Sequence, residues 1–270
     1  MFGFYVHDLN PFLIEFGQGW GIRYYGMAYV AGFLAWFYGL RWFRNRGWSA
    51  LSDDQISELL LYTVLGVLIG GRLGYCLLYD WAETIRHPIR VVAFWHGGLR
   101  GMASHGGIAG ALTGFLLWAR KARVDGWGVA DNAAVLAPVG IFLGRLANFI
   151  NGELWGKPSQ VPWAVIFPDS GTQVPRHPSQ IYEALGEGLL LGCVMYWLRS
   201  KNLLPSGRVT GAFFIVYGII RVGLEVFREP DGGDPLLAGL SRGQWFSIGL
   251  IIVGAGIFFF RGLGVKGLRD

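Results

Sequence analysis

Residues 134–159 read AVLAPVGIFLGRLANFINGELWGKPS. The first part, 134–150, is an apolar run of the kind that forms a helix in lipid. Yet Arg145 and Asn148 stand inside it, with Asn151 and Glu153 directly after. A cation within a membrane helix costs roughly 3 kcal/mol or more, and such groups face a bundle interior or a water-filled cavity. The stretch therefore predicts both a membrane fold and a polar site set into it.

The rest of the chain agrees with a membrane fold. Of its 270 residues, 53% are hydrophobic and 15% charged, against about 25% charged in soluble domains. The net charge of +5 does not argue for nucleic acid, because the basic residues flank apolar runs instead of forming one patch. Cys76 and Cys193 lie within such runs and read as small buried hydrophobes, so neither a disulfide nor a thiol nucleophile is expected. The N-terminus lacks the basic region of a cleavable signal peptide, so the first apolar run is expected to be retained.

A membrane span needs about 20 mostly apolar residues. Seven segments qualify: 24–42, 56–79, 103–119, 129–150, 181–198, 208–227 and 244–260. They predict an all-α polytopic protein, one integral-membrane domain over 1–270, with a small outer head at 151–180. Twelve Lys and Arg residues, Arg41, Arg120, Arg199 and Arg261 among them, crowd short segments on one side, and eight are spread over longer loops on the other. By the positive-inside rule the N-terminus is outside and the C-terminus cytoplasmic. The outer loops hold most of the Trp, Pro, acidic residues and His found between spans. The segment HPIRVVAFWHGG (87–98) is expected to lie along the outer surface.

Three cations remain inside spans: Arg72, Arg145 and Arg221. At 1.5 Å per residue they lie about 10, 7 and 9 Å below the outer ends of their helices. His105 opens the third span, and Tyr24 and Tyr25 open the first, at the same level. Each has a bland alternative: Arg221 and Glu225 are four apart and can neutralise each other, and a His at a helix start is often structural. Together, three arginines with few nearby carboxylates predict spare positive charge and hence an anionic partner. A phospholipid headgroup suits it, because guanidinium forks match phosphate.

Six blocks in order give the chain a resemblance to the prolipoprotein diacylglyceryl transferases of bacterial inner membranes: YYG (24–26), GGRLGY (70–75), SHGGIAG (104–110), GRLANFINGELWG (144–156), RHPSQIYE (176–183) and RVGLEVFREPD (221–231). That family moves the diacylglyceryl group of phosphatidylglycerol to the thiol of the lipobox cysteine in the signal-peptide region of a prolipoprotein. The product is a thioether, glycerol phosphate leaves, and neither metal nor diffusible cofactor is implied. The outer side becomes the periplasm. The resemblance carries the family's cavity onto Tyr25, His105, Arg145, Asn148, Glu153, Gly156, Arg221 and Glu225.

The chemistry of the residues agrees. A thiol must become a thiolate before it attacks carbon, and His105 is the candidate base. Arginine charge nearby can instead stabilise the thiolate and make a dedicated base less important. Arg145 and Arg221 are expected to neutralise the departing phosphate, with Arg72 at the same depth as a further headgroup ligand. Asn148 can donate to a phosphate or glycerol oxygen. Glu153 and Glu225 are expected to orient the arginines or bind headgroup hydroxyls, and Tyr25 to donate from the rim. His177 reads as loop-fixing, with substrate contact the alternative. One departure from the family pattern is the longer HGGLRGMAS stretch (96–104), with His96 and Arg100, which is expected to reshape the outer rim.

A transporter would spread polar residues through the whole membrane depth, and the inner halves of the third, fifth and seventh spans are nearly free of them. A purely structural protein would pair its charges completely within the fold.

Overall fold

Long apolar runs, rich in glycine and with Pro138 inside one of them, leave the backbone one economical solution in lipid, a helix that satisfies its own hydrogen bonds. The computed structural model describes residues 3–17, 19–92, 101–201, 204–229 and 239–263. Its helices are α1 (Tyr24–Asn45), α2 (Asp53–Leu78), α3 (Trp81–Arg86), α4 (Ser104–Ala122), α5 (Gly126–Ile150), α6 (Ser179–Glu183), α7 (Leu191–Ser200), α8 (Arg208–Leu224) and α9 (Arg242–Leu263). A π-helical stretch, Ala184–Leu190, joins α6 to α7. Among the described residues, four helical segments are long and apolar enough to cross a membrane: Asp53–Leu78, Gly126–Ile150, Ser179–Ser200 and Arg242–Arg261. Helix α8 has 17 residues, about 26 Å of rise, slightly under the roughly 30 Å of hydrocarbon.

The all-α expectation is incomplete, because five short strands are present among the described residues. They are β1 (Tyr5–Val6), β2 (Phe12–Gly17), β3 (Trp20–Arg23), β4 (Val165–Ile166) and β5 (Pro175–Arg176). Strands β2 and β3 form a hairpin, while β4 pairs in parallel with β1 and antiparallel with β5. The N-terminal segment is thus tied into the 151–180 head. Buried His7 ties the same segment to the end of α5, with Nε2 2.7 Å from the Phe149 carbonyl.

The chain divides into two compact units, Leu40–Gly126 and the remainder, Met1–Gly39 with Trp127–Asp270. The Leu40–Gly126 unit is built on α2 and α4, which touch through glycine. A Cβ at Gly110 would lie 2.0 Å from the Gly66 carbonyl oxygen, and one at Gly70 2.3 Å from that of Gly106. Only glycine on both faces lets backbones approach so closely, the small-residue packing of membrane helices. Ser52 and Gln55 form a capping box at the start of α2. Asp53 holds Arg41 at 2.9 Å and Arg44 at 2.5 Å. Cys76 is buried here, whereas Cys193, on α7 in the other unit, is exposed rather than buried as its apolar run suggested.

In the larger unit α8 and α9 pack closely, again through glycine: a Cβ at Gly211 would sit 2.7 Å from the Phe258 nitrogen. Asp131 of α5 caps α8 from outside. Its carboxylate accepts from the Gly207 and Thr210 amides at 2.7 and 2.8 Å and from the Thr210 hydroxyl at 2.7 Å. Two orphan N–H groups of the α8 N-terminus are satisfied this way, which fixes the helix carrying Arg221 against the helix carrying Arg145.

Candidate active site

Arg145 and Asn148 project from the last two turns of α5, three residues apart and so on one face. The chain then turns sharply, with Gly152 at φ 67° and Leu154 at φ 59°. A leucine in that left-handed region is strained and persists only where its surroundings over-determine it. Here the Ser179 hydroxyl donates to the Leu154 carbonyl at 2.9 Å and the Gln180 amide to the Glu153 carbonyl at 2.6 Å. The turn places Glu153 so that it accepts from Asn148 Nδ2 at 2.7 Å and Asn151 Nδ2 at 3.3 Å.

Helix α6 and the π-helical stretch deliver Glu183 and Glu187, four residues apart and with 1% and 0% of their side-chain surfaces exposed. π-helical turns are rare and recur at functional sites. Arg145 gives Nη1 to Glu183 at 3.0 Å, and Nη2 and Nε to Glu187 Oε2 at 3.0 and 3.2 Å. Arg221, from the last turn of α8, binds Glu183, reaches Glu187 at 3.2 Å, and holds Glu225 at 3.0 Å. Arg228 reaches Glu183 at 3.5 Å. Glu225 also accepts from the Ser241 hydroxyl at 2.9 Å, which links the cluster to the start of α9. Buried carboxylates and guanidiniums are tolerable only when paired and hydrogen-bonded in this way. Arg145 and Arg221 keep 17% and 11% of their side-chain surfaces open.

Of the expected residues, Arg145, Asn148, Glu153, Arg221 and Glu225 lie in the larger unit, as does Tyr25. Tyr25 opens α1 and lies within electrostatic reach of both Glu153 and Arg145. Gly156 sits where the head closes on the end of α8: a Cβ there would meet the His177 and Phe227 carbonyl oxygens at 2.6 Å each. Arg72 and His105 belong to the other unit. Arg72 donates to the Val91 and Gly101 carbonyls at 3.2 Å each. His105 is the second residue of α4 and is exposed. His96 to Arg100 lie outside the described residues, as do 93–98 of the expected surface segment.

The expectation of spare positive charge is overturned. Of the three cations it was counted on, Arg145 and Arg221 meet Glu183, Glu187 and Glu225 among the described residues, with Arg228 joining at Glu183, while Arg72 lies in the other unit. Glu225 lies against Arg221 as expected; Glu153, expected to orient an arginine or bind headgroup hydroxyls, accepts from the two asparagines, and Glu183 and Glu187 are further carboxylates on the arginines. Both were missed because only the cations within spans were counted. The signal was present, since two glutamates four apart inside an apolar run are as costly as the arginines. They are the third and seventh residues of the expected span 181–198. Tyr217, one turn before Arg221, was missed too, and it interacts electrostatically with Glu187 and both arginines. His177 keeps a loop-fixing place. Its amide donates to the Lys157 carbonyl at 3.0 Å, its ring nitrogen lies 3.1 Å from the Tyr182 hydroxyl, and burial pushes the imidazole below its ordinary range.

Chemically, two guanidiniums on side chains that are not wholly buried, held by buried carboxylates, suit an oxyanion with several acceptor oxygens, and phosphate is the best match. Comparison with known proteins points the same way. The family model described as prolipoprotein diacylglyceryl transferase matches residues 11–260. A phosphatidylglycerol–prolipoprotein diacylglyceryl transferase of Bordetella bronchiseptica is 42% identical over 255 residues, covering 94% of this chain and 95% of the relative. Proteins of the same name from Rhodospirillum centenum and Cupriavidus metallidurans are 45% and 44% identical, over 91% and 93% of this chain and 89% and 93% of their own lengths.

Proposed function

The chain belongs to the prolipoprotein diacylglyceryl transferase family, and on that premise we propose that the Arg145–Arg221 cluster is the phosphate-holding part of its active site. The protein is a multi-pass membrane transferase that moves the diacylglyceryl group of phosphatidylglycerol onto a prolipoprotein, the first step of lipoprotein maturation. The observation that carries the site reading is the pair of guanidiniums, from α5 and α8, fixed by the same two buried glutamates.

In this reading the acceptor is the lipobox cysteine in the signal-peptide region. Its S–H proton is lost to a base, and the thiolate sulfur attacks the glyceryl methylene carbon bonded to the phosphate oxygen. The C–O bond breaks, its electron pair leaves with glycerol phosphate, and a C–S thioether forms. The phosphate passes from one negative charge to nearly two. Arg145 and Arg221 stabilise that added charge in a low-dielectric setting, where fixed donors act most strongly. Asn148, Glu153, Gly156 and Glu225 shape and orient the headgroup side, and Tyr25 donates from the rim. His105 is assigned as the base and Arg72 as a further headgroup ligand. One integral-membrane domain with seven spans, N-terminus outside, in the bacterial inner membrane, opens this site to the periplasmic leaflet, where both substrates are in reach.

The test is reconstitution with phosphatidylglycerol and a synthetic peptide bearing a lipobox cysteine. The expected result is a mass gain of one diacylglyceryl group on the cysteine with equimolar release of glycerol phosphate. Neither change, under conditions where the Bordetella relative produces both, would refute it.

A further inference from the structure

Glu187 is fully buried and touches both arginines: Arg145 through Nε and Nη2 at 3.2 and 3.0 Å, and Arg221 through Nη1 at 3.2 Å. Among the described residues, Glu183, Glu187 and Glu225 stand against Arg145, Arg221 and Arg228, three contacting charges of each sign. A site built only for tight phosphate capture would leave its guanidiniums underneutralised. We infer that Glu187 is a positioning residue that sets the charge of the diarginine site so that the product headgroup is released: it fixes both guanidinium planes and offsets their pull on the phosphate. The inference rests on the reading of Arg145 and Arg221 as phosphate ligands.

The reaction makes such an offset necessary. The bound diester carries one negative charge and the departing glycerol phosphate between about 1.5 and 2 at neutral pH. Any cationic site that binds the substrate therefore binds the product more tightly, and turnover stalls on release. A fixed carboxylate within 3.2 Å of both guanidiniums lowers the affinity for the dianion more than for the monoanion, because the repulsion scales with ligand charge. The transition state still gains, since the arginine donors stay preoriented while charge develops. The burial of Glu187 keeps this repulsion unscreened, and its place in the π-helical stretch sets its carboxylate on the same face as that of Glu183.

The experiment uses the purified full-length chain in lipid nanodiscs, with glycerol 1-phosphate as the probe. Glu187→Gln keeps the shape and removes the charge. The expected result is glycerol phosphate binding on the order of tenfold tighter, with kcat and KM for phosphatidylglycerol both lowered. Glu187→Asp, which keeps the charge, is expected to bind the probe as the parent does. If Glu187→Gln fails to accumulate as folded protein, Glu183→Gln is read in the same way. Weaker probe binding with a raised KM would mean that Glu187 only props up the arginines, and would overturn the inference while leaving the phosphate reading intact. A parent protein that does not bind glycerol phosphate at all would overturn both.

Discussion

Glu187 Oε2 accepts from both Nε and Nη2 of Arg145, at 3.2 and 3.0 Å, across 42 residues of sequence. One carboxylate oxygen thereby fixes the side edge of the guanidinium, and Glu183 takes Nη1. The orientation of Arg145 is set before any ligand arrives, the preorganisation that makes a fixed charge effective in catalysis. The cost of separating these partners is large: removing one member of a buried pair typically destabilises by about 3–5 kcal/mol. Arg145→Ala is therefore a poor probe of chemistry alone.

Gly156 has backbone on two sides, with the His177 and Phe227 carbonyl oxygens 2.6 Å from where a Cβ would be. Gly156→Ala should force the head away from the end of α8, at a cost of about 1–3 kcal/mol. The expected outcome is a lowered Tm in detergent together with a loss of transfer. Unchanged melting would mean that the two carbonyls move apart freely.

Gly110→Val should be worse, since its Cβ would lie 2.0 Å from the Gly66 carbonyl oxygen in the α2–α4 contact. Little folded protein is expected in membranes. Gly249→Ala on α9, where nothing lies within 4 Å of the new Cβ, serves as its opposite. It should stabilise by about 0.5–1 kcal/mol through helix propensity. Thermal melts of the two variants beside the parent check both signs.

Burial depresses the His177 pKa, so the unfolded chain takes up this proton more readily than the folded one. Its contribution to stability is present above about pH 6.5, the ordinary His value, and is lost as pH falls below it. The Tm difference between pH 7.5 and 5.5 should be smaller in His177→Gln than in the parent. Equal differences would mean that His177 takes up its proton equally readily in the folded and unfolded chain.

His105→Gln tests the assigned base. Loss of a general base typically costs about a hundredfold to ten-thousandfold, and part of that loss should be recovered at higher pH, where more thiolate forms without help. Near-parental activity that barely responds to pH would remove His105 from that role and leave thiolate stabilisation to the arginines.

The helices were legible because lipid leaves few choices: every long apolar run became a helix, from Tyr24–Asn45 to Arg242–Leu263. Arg145 and Arg221 were legible as anomalies in apolar runs, and Asn148 by its three-residue spacing. What could not be read was pairing at long range. Glu183 and Glu187 lie within a predicted span, but their arginines are 34 to 42 residues away, and no local periodicity announces such a contact. The strands β1, β4 and β5 were invisible for a related reason: two-residue strands carry no alternation to detect. The π-helical stretch is likewise a product of packing, with the Phe142 side chain 2.6 Å from where a Cβ on Gly188 would be.

The most direct test of the phosphate-holding claim is transfer from phosphatidylglycerol to a lipobox peptide by Arg145→Lys in proteoliposomes. Lysine keeps the charge opposite Glu183 and Glu187 and so largely preserves the fold, but it loses the planar fork that grips an oxyanion at two points. Normal insertion is expected, with a loss of about a hundredfold or more in kcat/KM, the scale on which single oxyanion donors act, and glycerol phosphate release falling in step. Parental turnover by Arg145→Lys would contradict that claim.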